Sequence, residues 1–155
     1  MPHTLISTLL STILLFASLA GAAAHAQDDL AQLAGQIKRE AEHRASYFRH
    51  NPTAPAAEMQ PADSLLVDIS EFALLTHRLS AQIERNGGPT DLKCIFKGMS
   101  EDSQARIDAL DQARTRAEMA RAFDEIVYLA NQAETIANDP DAVSAGNSLP
   151  PQCQL

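Results

Sequence analysis

Cys94 and Cys153 are the residues of this chain with the most definite chemistry, and they are its only cysteines. In an exported chain an even pair of cysteines reads as a disulfide, because oxidising compartments pair thiols. The residues also allow an intermolecular bridge, or free or metal-ligating thiols. The intrachain reading carries a geometric condition. A straight helix over 100–138 would be about 57 Å long. The steps from Asn138 to Cys153 span at most about 50–54 Å. The bridge then closes within one chain only if the segment holding Cys94 folds back along that helix, or the helix bends.

His43, Tyr47 and His50 stand at i, i+4 and i+7, with Glu40 just before them, so one helical face would carry them in a row of metal-ligand types. The two imidazoles would sit about 10 Å apart along the axis, so one ion would need ligands from elsewhere. The row also lies opposite the apolar face of its helix, where a solvated surface is the ordinary reading. His77 flanks the apolar face of a second helical stretch. His43, His50 and His77 are therefore weak metal candidates. Met59, Met99 and Met119 offer thioethers suited to copper(I) or an axial haem position, but they form no Met-x-x-Met pattern. No C-x-x-C-H occurs, which excludes c-type haem attachment. G-x-S-x-G, H-E-x-x-H and a phosphate-cradling Gly-rich loop are all missing, so neither an enzyme nor a cofactor is expected.

Composition narrows the class further. The chain has 155 residues, 45% of them hydrophobic, with a formal net charge of −8, no Trp and aromatics at 5%. That length suits one domain after export processing. Much of the apolar content is Ala, which favours thin helix packing over a large aromatic core. The negative charge disfavours nucleic acid and anionic lipid as partners. It suits solubility, or a cationic partner.

The elements that must position these residues read in order. Residues 1–26 look like a signal peptide: Thr4 to Ala20 is apolar apart from Ser and Thr, and Ala24-His25-Ala26 offers small residues for cleavage after Ala26. The n-region lacks Lys and Arg, and the rival reading is an uncleaved anchor near the length that spans a bilayer. Residues 28–50 form the first mature helix, with Leu30, Leu33, Ala34, Ile37, Ala41, Ala45 and Phe48 on one face and a Glu40/Arg44 pair at i,i+4. A Pro-containing linker over 51–60 follows. Residues 61–86 form the second helix, with Pro61 in its first turn and Leu65, Ile69, Phe72, Thr76, Leu79 and Ile83 facing the core. Val67, Leu74 and Ala81 make a second apolar patch on its opposite side, at heptad spacing. Gly87 suits a left-handed C-terminal cap.

Thr90 caps a short connector helix over 91–97, ended by Gly98. Ser100 then opens a long helix over 100–138, stopped by Asp139-Pro140. Its apolar stripe shifts by roughly 160° near Arg114-Thr115-Arg116. Without Gly or Pro there, a continuous or gently kinked helix is expected. Residues 139–155 form an irregular tail pinned by the disulfide, with Val143 and Leu149 as anchors.

The expected architecture is an all-α antiparallel bundle of three long helices plus the connector, spanning 27–138. The expected function is that of a non-catalytic periplasmic or secreted bacterial interaction protein, with no membrane attachment after cleavage. Its contact surface would be the Val67/Leu74/Ala81 patch or the Cys94-Ile95-Phe96 connector, engaging a protein partner or a second copy. The alternatives are a small-ligand or metal-binding bundle, and an acidic inhibitor or scavenger of cationic proteins.

Overall fold

Helix-forming sequence between a few punctuating residues gives a purely helical body. The computed structural model describes residues 13–138, with side chains described from Gln27 onward. Among the described residues there are four helices, α1 (Ile13–Arg49), α2 (Ser64–Arg85), α3 (Thr90–Gln112) and α4 (Arg116–Asn138). The all-helical expectation holds, but the division into helices differs.

The expected connector helix over 91–97 and long helix over 100–138 do not exist as such. Helix α3 runs through Gly98 and Ser100 to Gln112, and Ala113 is extended before α4 begins. Gly98 costs a helix interior only about 1 kcal/mol relative to Ala. Phe96, Met99, Ser103 and Leu110 continue one buried stripe across it. The break further on has its own chemistry. Thr115 Oγ1 accepts the Glu118 N–H at 3.2 Å, while Glu118 Oε2 accepts the N–H of Thr115 at 3.2 Å and of Arg114 at 2.6 Å. This reciprocal capping box satisfies the first free donors of α4, so a new helix starts there with neither Gly nor Pro. The shift of apolar phase is a chain reversal rather than a kink.

The loop between α1 and α2 locks that reversal. Asn51, with φ of 57°, ends α1 in the left-handed region that Asn tolerates. The strand-like stretch after it accepts and donates across the turn: Ala56 N–H to Arg114 O at 2.9 Å, Arg116 N–H to Ala54 O at 2.9 Å, and Ala117 N–H to Pro52 O at 3.0 Å. Helix α2 then begins at Ser64 rather than Pro61. Asp63 is its N-cap, accepting the Leu65 N–H at 2.9 Å. Gly87, with φ of 65°, takes the left-handed position after α2 as expected.

Helix α1 packs chiefly on α4, and α2 chiefly on α3. Cross-links fix the directions: Lys38 to Glu134 at 3.0 Å, Gln36 to Asp68 at 2.9 Å, Ser80 Oγ to Lys93 O at 2.9 Å, and Arg106 to Glu125 at 2.6 Å. Together with Arg49–Asp124 and Arg44–Asp63, they run neighbours antiparallel in an up-and-down four-helix bundle. Leu30, Ile37, Leu65, Phe72, Met119 and Phe123 are among the side chains filling its axis. Thr76 and Ser103, both fully buried, return their hydroxyls to Phe72 O at 2.9 Å and Met99 O at 2.7 Å, so the core keeps small polar residues without orphaned donors.

Helix α1 starts at Ile13, not at Asp28, and its backbone runs through the expected cleavage site. An Ala-rich stretch has every reason to continue a helix. Among the described residues no helix is long and apolar enough to cross a membrane. Residues 1–12 and the tail over 139–155, with Cys153, lie outside the described residues.

Candidate interaction surface

The outer face of α2 is where sequence and structure meet most directly. Its core face carries Leu65, Ile69, Phe72 and Thr76, all buried. The side opposite carries Val67, 43% exposed, and Leu74, 56% exposed, with Ala81 half-buried beyond them. Leu74 is thus a large apolar side chain held in solvent by a rigid helix, a placement that costs solubility and contributes nothing to this core. Glu71 and Arg78, both exposed, stand on either side of it along one flank, and Ser70 and His77 on the other.

A groove of about 580 Å³ borders this face, between α1 and α2. Leu33 and Leu75 form its floor; Asp29, Asp68, Glu71 and Arg78 form its rim. The groove exists because α1 and α2 touch little compared with the α1/α4 and α2/α3 pairs. One anchor holds its far end closed. Arg44, half-buried, donates to Glu40 at 2.7 Å and to Asp63 at 2.7 Å. Burial alone would raise the Asp63 carboxyl. The Arg44 hydrogen bond and charge, with the backbone N–H groups of Leu65 and Leu66, outweigh it and hold Asp63 below its ordinary range.

A second, apolar pocket of about 290 Å³ opens at the end of the bundle where α2 passes into α3. Leu30, Leu79, Ile83, Leu92, Phe96 and Ile136 line it. Because Leu92 and Phe96 share it with Ile136 and Ala137, Cys94 lies level with the last turn of α4.

The other expected residues are placed less favourably for binding. Phe96 is only 6% exposed and belongs to the core, and Ile95 is half-buried, so the Cys94-Ile95-Phe96 segment offers no apolar contact face. Helix α3 turned out longer than the expected connector, and the core claimed its apolar side. His43, His50 and His77 are all exposed. The α1/α2 register sets His77 level with the first described turn of side chains on α1, about 20 Å from His43 along the bundle. The three histidines do not converge. His50 Nδ1 lies 3.0 Å from Ser46 O, within its own helix. Among the described residues no group of three or more His, Cys, Asp or Glu side chains could hold a metal ion. Met99 and Met119 are buried core residues, and Met59 is half-buried beside Arg44.

Glu71 and Arg78 were not singled out in the sequence, although their offsets of −3 and +4 from Leu74 were there to read. Comparison of the chain with protein-family models, with curated proteins and with solved structures finds no match.

Proposed function

We propose that this protein is a non-catalytic, exported, periplasmic interaction protein that binds through the outer face of α2. The observation that carries the reading is Leu74, more than half exposed on a rigid helix, with Val67 one heptad before it and an acid-rimmed groove alongside. A rigid apolar anchor ringed by charge has the composition of a contact centre. The signal-like segment over 1–26 supports export, with cleavage after Ala26. The acidic rim of Asp29, Asp68 and Glu71 favours a partner surface that brings Arg or Lys to its edge.

An intrachain Cys94–Cys153 disulfide belongs to this proposal. The chain reversal at 113–115 supports it by removing the distance problem of a single long helix. With Cys94 level with the end of α4, the segment after Asn138 has only to loop back over its own bundle end.

The test is retention from periplasmic extract on the immobilised, oxidised protein, comparing wild type with Leu74→Asp. A partner held by wild type and lost by the variant supports the reading; a partner held equally by both contradicts it. The end pocket favours a second reading, a bundle that takes a small apolar ligand between Leu30, Leu79 and Phe96. A rise in melting temperature with such a ligand, abolished by Leu79→Trp, would support it.

A further inference from the structure

We propose that the occupant of the α2 outer face is a second copy of this chain, paired antiparallel about a two-fold axis that passes beside Leu74. The inference rests on the interaction reading above and adds the partner and its register. Helix α2 is self-complementary when reversed. Placing Leu74 on its own symmetry mate sets Val67 opposite the partner's Ala81, and Ala81 opposite the partner's Val67. The exposed residues on the groove flank then match in charge: Glu71 falls within one residue of the partner's Arg78, twice over by symmetry.

The other flank places Ser70, whose hydroxyl donates to Leu66 O at 2.8 Å, beside the partner's His77, whose ring N–H can donate to the same hydroxyl oxygen. The match follows from the charge distribution along the helix. The N-cap and first half of α2 carry Asp63, Asp68 and Glu71, and the second half carries Arg78 and Arg85, with Glu84 the exception, turned toward Lys93 of α3 at 3.3 Å. Parallel pairing would set like charges on like.

A two-fold contact of this kind is isologous: one patch serves both partners, and the assembly closes at two. In antiparallel helix pairs, same-flank residues face each other, and that geometry joins Glu71 to Arg78 across the axis. The core of the contact is small, with Val67 and Leu74 its only large side chains. A weak, concentration-dependent dimer is therefore expected rather than an obligate one.

Sedimentation equilibrium on the oxidised, processed chain tests this. Wild type should show a monomer–dimer equilibrium. Leu74→Asp should abolish it. Glu71→Arg and Arg78→Glu should each weaken it about tenfold or more, because each turns two attractive contacts into two repulsive ones. The double reversal, Glu71→Arg with Arg78→Glu, should restore it. All three positions are on the helix surface, and circular dichroism confirms that each of the four variants is folded. A dimer indifferent to Leu74→Asp, or a double reversal no better than the singles, overturns the proposal. A chain monomeric at every concentration also overturns it. In that case an extract partner still lost on Leu74→Asp would leave the interaction reading standing, with a different partner.

Discussion

Arg116 caps α1 from the start of α4: its Nη2 donates to the Tyr47 carbonyl at 2.8 Å, and its guanidinium lies 4.5 Å from the centre of the Tyr47 ring. The same group reaches Phe48, at 5.1 Å, and Phe48 stacks on the buried Phe123 at 5.6 Å. One side chain thus joins the end of the first helix to the beginning of the last. Its Nε is buried without a partner, a small cost that the stacking and the Tyr47 bond offset. Arg116→Ala should lower stability by about 1–2 kcal/mol in urea denaturation. Arg116→Lys should recover little of this, because an ammonium cannot stack as a plane.

The Arg44–Asp63 pair gives the fold an acid-sensitive element. The Asp63 carboxyl sits below its ordinary value of 3.8 when folded. Its contribution is therefore fully present above that value and is lost as pH falls through the lower, folded one. Asp63→Asn keeps an N-cap for α2 while removing the charge. The variant should be less stable by about 1–2 kcal/mol at neutral pH, and the gap to wild type should close in strong acid. Stability measured from about pH 2 to about pH 7, which brackets the ordinary carboxylate range, checks the sign.

The reversal between α3 and α4 depends on Thr115. Thr115→Ala should cost about 1 kcal/mol, and Thr115→Ser should be close to neutral. Glu118, whose carboxyl is held low by the N–H groups of Arg114 and Thr115, should show a smaller loss on substitution by Ala, because it is exposed to solvent. Chemical denaturation of the three variants separates the two halves of the box.

Large and small effects should divide cleanly between core and contact face. Phe123→Ala empties a fully buried site and should cost about 3–5 kcal/mol. Leu74→Ala should change stability by less than about 0.5 kcal/mol. A large loss at Leu74 would mean that the side chain supports its own fold rather than a partner.

Much of the fold could be read from residue pattern. The core faces of α1 and α2 follow Leu30, Ala34, Ile37 and Ala41, and Leu65, Ile69, Phe72 and Thr76, because a helix packed on one side repeats its apolar positions every turn. The exposed Val67/Leu74 patch was legible for the same reason. The split of 100–138 was signalled twice, by the apolar phase shift and by Thr115-Arg116-Ala117-Glu118. Neither signal requires Gly or Pro. A capping box ends and restarts helices by hydrogen bonds alone, so composition does not reveal it. Phe96 faces inward because it continues the buried stripe of α3 with Met99, Ser103 and Leu110. The Arg116 contacts with Tyr47 and Phe48 join positions far apart in the chain and leave no local signature.

The disulfide assignment has its own check. Mass spectrometry of the exported protein should find it two hydrogens lighter than its reduced form, at the monomer mass, with the chain starting at Gln27. A bridged dimer, two free thiols, or a chain still beginning at Met1 would each contradict part of that reading.

The central claim, that the outer face of α2 is occupied in the cell, is tested most directly by photo-crosslinking in the native compartment. A photoreactive aromatic residue at Leu74 is compared with the same residue at Tyr128, which is 66% exposed on another helix. The account predicts a discrete crosslinked product from Leu74 and none from Tyr128. No product from Leu74, or equal products from both positions, would contradict it.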